Sequence, residues 1–287
     1  MSDSKPERPG IDPATIIGPV TLGVADLDNM LHFYRQLIGL SILDRTAHTA
    51  DLGVNGTPLV RMEVRPQGRR YPRAAGLFHL ALRLPSRQDL GHWFKYLADS
   101  QYPLGGVGDH LVSEALYLAD PEGNGIEMYR DRPRDTWEYE EGRIKMDTLP
   151  VDLRSLQAEA PATPFSGLPA GTRMGHIHLQ VDDVDRAVGF YRDGLGFDLM
   201  ASWSGAGFLS AGGYHHHIGV NMWNSRGNLC PPPGSLGLVS YEIVLPNRET
   251  RDALLTRLDD MLYPVEHLDT GPLIRDPAGN GIVLGIA

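Results

Sequence analysis

Three side chains in this sequence have the right types to hold a divalent cation: His79 in the run Leu77-Phe-His-Leu-Ala-Leu82, His176 in Gly175-His-Ile-His-Leu179, and Glu127, which follows Gly-Asn-Gly-Ile. Two neutral imidazoles and one carboxylate form a set that suits Fe(II) and leaves coordination positions open for small molecules. His178 competes with His176, because residues two apart on a strand point to the same side. A further group, Tyr214-His-His-His-Ile-Gly-Val-Asn221, reads as a late strand on which alternation sends His215 and His217 to one face and His216 to the other. Taken alone, such a tract is a solvated edge strand or a second metal site.

What could bring the first three together is an internal repeat. The stretch Val20-Thr-Leu-Gly-Val-Ala-Asp-Leu-Asp-Asn-Met-Leu-His-Phe-Tyr-Arg is echoed by Ile177-His-Leu-Gln-Val-Asp-Asp-Val-Asp-Arg-Ala-Val-Gly-Phe-Tyr-Arg192. Each copy reads as a strand with alternating apolar residues, an aspartate cap (Asp26, Asp183), and a helix that buries Phe33 and Tyr34 or Phe190 and Tyr191 before Gly39 or Gly196 ends it. A second unit repeats as Gly76-Leu-Phe-His-Leu-Ala-Leu-Arg-Leu-Pro and Gly237-Leu-Val-Ser-Tyr-Glu-Ile-Val-Leu-Pro. It closes on the turns Asp120-Pro-Glu-Gly-Asn-Gly-Ile126 and Asp276-Pro-Ala-Gly-Asn-Gly-Ile282. The chain therefore holds four modules of strand, helix and several strands, starting near Ile17, Gly76, Met174 and Gly237. The expected units are residues 14–135, with modules one and two, and 171–287, with modules three and four. Residues 136–170 form a connection rich in Pro, Ser and Ala, in which Trp137 and Tyr139 should pack down.

Laid over one another, the modules carry Pro19, His79, His176 and Ser240 at the same first-strand position, and Glu127 and Val283 at the same last-strand position. Proline and valine side chains donate no electron pair, so modules one and four lack the set that modules two and three hold. The cation site should straddle the two halves, within one chain or between subunits.

These repeats, FYR before LGF and DP.GNGI before a last strand, resemble the vicinal oxygen chelate superfamily over nearly the whole chain. The resemblance implies an α+β fold in which the four βαβββ modules make two curled-sheet units, each shaped like a glyoxalase or an extradiol dioxygenase. Within it, Gly108-Asp-His-Leu-Val-Ser-Glu-Ala-Leu-Tyr-Leu-Ala-Asp-Pro-Glu-Gly-Asn-Gly-Ile-Glu127 resembles the extradiol ring-cleavage signature. That resemblance implies that Glu127 is an iron ligand and that His110 and Tyr117 line the substrate pocket; a further resemblance to extradiol enzymes, a histidine two residues before the apolar, small, apolar run Ile218-Gly-Val220, implies that His216 acts as acid and base. The fourth module has Ile274 in place of Tyr117 but keeps His267 in place of His110. The function implied is that of a non-haem Fe(II) dioxygenase similar to catechol 2,3-dioxygenases, with Mn(II) as the alternative ion. Its substrates would be O2 and a small aromatic diol such as catechol, an alkyl or chloro catechol, or a hydroquinone-like ring. A base whose pKa lies near working pH suits removal of the diol proton. Two other readings stay open: a glyoxalase-type isomerase or lyase, which needs two carboxylates or a glutamine among four ligands, and a drug-binding protein of the same fold without catalysis.

Composition narrows the remaining classes. The 287 residues suit two domains, and 41% hydrophobic with 22% charged residues is ordinary soluble usage without a membrane-length apolar run. A net charge of -10 with scattered basic residues argues against nucleic acid. The polar start Met1 to Asp12 reads as a frayed arm without a secretory signal, and the expected location is the cytoplasm. A single cysteine, Cys230, followed by three prolines, implies a loop and no disulfide. No glycine-rich phosphate loop and no serine elbow is present. Trp203, Phe208 and Trp223 are either pocket wall or core. A homo-oligomer, in the simplest case a dimer, is expected.

Overall fold

A computed structural model describes residues 10–140 and 142–287; the arm Met1 to Asp12 lies, up to residue 9, outside the described residues. Two eight-stranded sheets carry the molecule. The first runs in the order Glu266–Leu268, Gly271–Arg275, Gly281–Ile286, Gly237–Leu245, Ile16–Val24, Thr57–Val64, Thr49–Val54, Ser41–Arg45. The second runs Asp198–Trp203, Ala206–Ser210, Ile218–Asn221, Arg173–Gln180, Gly76–Arg83, Gly125–Asp131, Ser113–Ala119, Gly106–Asp109. Modules one and four thus share one sheet, modules two and three the other, and each sheet draws on both sides of residues 136–170. At the centre of each sheet two first strands pair antiparallel, with Thr21 opposite Ser240 in one and His178 opposite His79 in the other.

Local chemistry explains the repeated elements. Asp26 and Asp183 accept the N–H groups of Asn29 and Arg186, capping helices Leu27–His32 and Val184–Gly189. Both helices widen into a π turn at the Phe-Tyr-Arg motif, and Gly39 at φ 95° supplies the left-handed stop for the first. The buried Tyr34 hydroxyl donates to Asp120 at 3.1 Å, and Tyr191 to Asp276 at 3.0 Å. Each of these aspartates also accepts from the backbone and side chain of the asparagine four residues on. The FYR and DP.GN motifs therefore bond to one another, tying module one to module two and module three to module four while the sheets pair across the halves. Buried apolar side chains of both sheets and of the helices form one continuous core.

In the connection, Trp137 is buried and Tyr139 is exposed, because the strands Tyr139–Glu140 and Arg143–Ile144 form a small separate hairpin. Cys230 lies against Asn280, and burial pushes its thiol up to about 12, so it stays protonated. Among the described residues, no helix is long and apolar enough to cross a membrane.

Candidate metal centre

Register places the site. On the second sheet, Glu127, Ala81 and His176 lie side by side across three strands, and the next row of the same face holds Gly125, His79, His178 and Gly219. Because residue 81 is only a methyl group, the side chains of Glu127 and His176 meet over it. His79 Nε2 is 2.9 Å and His176 Nε2 3.1 Å from Glu127 Oε2, and the two imidazole nitrogens are 3.4 Å apart. All three residues are buried, and among the described residues they are the one His/Cys/Asp/Glu group whose donor atoms converge closely enough for a metal ion. His178 shares the face but stands outside that group. Its ring lies 4.9 Å from the His79 ring, and its buried Nε2 has no partner. A Cβ on Gly219 would lie 2.9 Å from the His178 ring, so glycine is what makes room for it.

Electrostatics fit a cation at the point of convergence. Burial alone would raise the Glu127 carboxyl, but the charges and hydrogen bonds of His176 and His79 outweigh it and hold the group well below the usual carboxylate range. Burial depresses His176 to about 4 against the pull of Glu127, so this imidazole is neutral near pH 7 and has an electron pair to offer. The set is thus one anion and imidazole nitrogens in a dry place, where leaving the anion without a cation is unfavourable.

A cavity of about 440 Å³ opens over these residues. Phe78, Trp203, Phe208 and Trp223 form an aromatic wall, with Phe78 5.4 Å and Trp203 4.9 Å, centroid to centroid, from Trp223 and Phe208 respectively. Tyr117 pairs directly opposite Glu127 on the neighbouring strand. Burial, reinforced by Glu127, pushes its hydroxyl well above the usual range, so it remains a hydrogen-bond donor. His110 is held from both sides: its Nδ1 lies 2.9 Å from the Asp147 carbonyl, which can only accept, so Nε2 accepts from the Tyr117 hydroxyl at 2.7 Å. The His216 ring lies 4.1 Å from the His176 ring, tilted by 49°, and burial followed by the surrounding histidines pushes its pKa well below 6.5.

Five of the residues singled out from sequence, His79, Glu127, His110, Tyr117 and His216, line one cavity, as does His178, while His176 is buried behind it and converges with His79 and Glu127. The histidine triplet is not arranged as expected. Tyr214 to His217 form an irregular turn before the strand Ile218–Asn221, and the three rings diverge. His215 bonds Asp131, His216 lines the cavity, and His217 Nδ1 accepts from the Ala211 N–H. Sequence reasoning missed Met146 and Thr148, which reach the cavity from the connection, and it missed the spacing roles of Ala81 and Gly219. No pattern in the sequence marks the first two; the small residues could have been found by writing out the strand register.

Comparison with known proteins identifies the family and the fold. Residues 16–128 and 173–222 match the model of the Glyoxalase/Bleomycin resistance protein/Dioxygenase superfamily. The chain is 41% identical over 275 residues to a protein of Bacillus subtilis (strain 168) named catechol-2,3-dioxygenase, covering 94% of this chain and 96% of that one. Among solved structures it is similar in fold to a putative dioxygenase from Bacillus subtilis, with a TM-score of 0.65, 13% identity and coverage of 97% and 86%. It is also similar to glyoxalase I from Zea mays, with a TM-score of 0.57, 14% identity and coverage of 94% and 92%.

Proposed function

The chain belongs to the glyoxalase/bleomycin resistance protein/dioxygenase superfamily, and from that premise we propose that it is an extradiol dioxygenase. It opens the ring of a catechol-type substrate with O2, using Fe(II), or alternatively Mn(II), held by His79, His176 and Glu127. The observation that carries this reading is the convergence of those three donors at the edge of an aromatic-walled cavity that also presents Tyr117, His110 and His216. The extent of identity with a relative named catechol-2,3-dioxygenase supports it.

When bound, the ion supplies Lewis acidity and open coordination positions where the diol and O2 can meet. The protein's own groups do the rest. Phe78, Trp223, Trp203 and Phe208 offer flat apolar surfaces that hold a planar ring and exclude water. His216 is a neutral imidazole at the cavity wall and takes the proton that a catechol hydroxyl gives up. Tyr117, whose one proton goes to His110, turns its hydroxyl oxygen beside Glu127 as an acceptor for a substrate hydroxyl. Among the described residues the site has a single carboxylate and no glutamine lines the cavity, whereas the isomerase reading needs a second carboxylate or a glutamine.

The test is oxygen uptake by the protein purified without air and loaded with Fe(II), across a panel of catechols, with methylglyoxal and glutathione as control. Uptake with a yellow ring-opened product is expected. Stoichiometric metal without uptake, together with turnover in the control, would overturn the proposal in favour of an isomerase.

A further inference from the structure

We infer that Asp131 and His215 act as positioning residues that keep the proton of His216 on Nδ1, so that the nitrogen this ring turns to the cavity, Nε2, is a bare acceptor. The inference rests on the reading of His216 as the group that handles substrate protons, and it specifies how the fold prepares it.

Asp131 is the last residue of the strand that carries Glu127, and its carboxylate has three partners. His215 Nε2 lies 3.0 Å from Oδ1, the Tyr214 hydroxyl 3.0 and 3.1 Å from the two oxygens, and Arg83 Nη1 3.2 Å from Oδ2. An ionised carboxylate only accepts, so all three must donate. Tyr214 spends its one proton on Asp131, and Tyr129, 2.8 Å away, donates to Tyr214 in turn. His215 likewise carries its proton on Nε2, which leaves its Nδ1 a lone pair in the neutral ring. That lone pair faces His216 Nδ1 at 2.8 Å. Two lone pairs do not meet at such a distance, so His216 Nδ1 bears the hydrogen and donates it. Among the described residues nothing else hydrogen-bonds the His216 ring, and Nε2 is the nitrogen left for the cavity that the ring lines. Trp137 covers the chain, 5.5 Å from the His215 ring. When Nε2 takes a substrate proton, the positive charge formed on His216 is passed through the Nδ1–H bond toward the Asp131 carboxylate, with no proton exchanged with solvent.

The arrangement predicts an inversion. In Asp131→Asn, Arg83 and Tyr214 both require the amide oxygen, so the amide N–H turns to His215 Nε2 and donates. His215 must then hold its proton on Nδ1 and donate to His216, whose own proton moves to Nε2 and closes the acceptor, with every heavy atom in place. A carboxylate that sets the tautomer of a catalytic imidazole acts in the same way in serine proteases.

The experiment is long-range 1H–15N spectroscopy of the histidine-labelled full chain loaded with diamagnetic Zn(II), with the His216→Gln spectrum used for assignment. The wild-type protein should show His216 protonated on Nδ1 and bare on Nε2, and Asp131→Asn should show the reverse. Oxygen uptake by the Fe(II)-loaded variant should lose kcat about a hundredfold, the lower range for a lost general base, with KM and metal stoichiometry unchanged. A wild-type His216 protonated on Nε2, or a folded Asp131→Asn with the wild-type tautomer, overturns the inference, and the wild-type spectrum decides even where the variant does not fold. The inference and the reading beneath it fail separately. The expected tautomers without oxygen uptake on any catechol sink the dioxygenase, whereas brisk uptake with the opposite tautomer sinks only the positioning role.

Discussion

The two sheets share one plan and differ in what fills the face on which the candidate metal centre sits. Where the second sheet has Ala81 and Gly219, the repeat places Glu242 and Arg61 in the first, and these two form an ion pair, with Asp51 3.6 Å from Arg61. The space left open over one sheet is thus closed by charge over the other. Ser240, Pro19 and Val283 stand where His79, His176 and Glu127 stand. The second sheet's site therefore depends as much on two missing side chains as on three present ones. By contrast, Gly125 and Gly281 are the same in both sheets. A Cβ on either would run into the carbonyl oxygen of the adjacent strand, at 2.1 Å from Phe78 and 2.7 Å from Val239. Glycine shared by both sheets serves the backbone, and glycine found only in one serves the site.

The largest effect expected from breaking this contrast is loss of metal: His79→Ala, His176→Ala and Glu127→Ala should each abolish stoichiometric binding in titration calorimetry. Ser240→Ala, the matching change in the first sheet, should leave it intact. Equal loss in all four would mean that the sheets do not differ in the way described. Next comes Ala81→Glu, which imports the first sheet's residue between His176 and Glu127. Metal affinity should fall at least a hundredfold, an order typical of disturbed ligand support, while overpacking lowers stability by about 1–3 kcal/mol in urea unfolding. Normal affinity in this variant would show that the gap is incidental.

A charge cluster gives a pH-dependent contrast. Burial alone would raise Glu114, but hydrogen bonds from Arg87 at 2.8 Å and Arg130 at 2.5 Å outweigh it and lower the carboxyl. The first sheet has Thr270 at that place. A folded-state pKa below the unfolded value of about 4.3 means that the stabilisation is fully present above that value and is lost as pH falls through the folded one. Glu114→Gln should cost about 3 kcal/mol at pH 7, as for a broken buried pair, and the gap to wild type should narrow on acidification below pH 4 in denaturant titrations. A gap independent of pH would remove the ionic explanation. The smallest effect belongs to the pair over the first sheet. Arg61→Met combined with Glu242→Leu should change stability by about 1 kcal/mol or less, since such pairs scarcely exceed their apolar replacements, and metal content should be unaltered.

Much of this was legible in the sequence because the repeat supplies its own control. Val283 against Glu127 singles out one module by comparison within the chain, and Leu273, not the Ile274 expected from sequence, faces Val283 as Tyr117 faces Glu127. The FYR and DP.GNGI motifs mark the elements, and their buried Tyr–Asp bonds explain why both recur together. Features that depend on register or on distant partners stayed hidden. Ala81 and Gly219 are ordinary small strand residues until their neighbours across the sheet are known. His215 looked like an alternating strand residue, and nothing local reveals that Asp131, far away in sequence, holds it. The irregular turn at Tyr214 to His217 overrides alternation because the histidines are bonded to three different partners.

The order of the modules along the chain has a consequence for how the molecule comes into being. Modules two and three are neighbours in sequence and complete their sheet between Gly76 and Asn221, whereas the first sheet joins Ile16–Val24 to Gly237–Leu245, strands from near the two ends of the described chain. During synthesis the first strand can pair with Thr57–Val64 on one edge, but its other edge waits for Gly237–Leu245, while the sheet with the candidate metal ligands can already close. The sheet that carries the candidate site is thus complete in sequence first, and the sheet that lacks it is the later clasp.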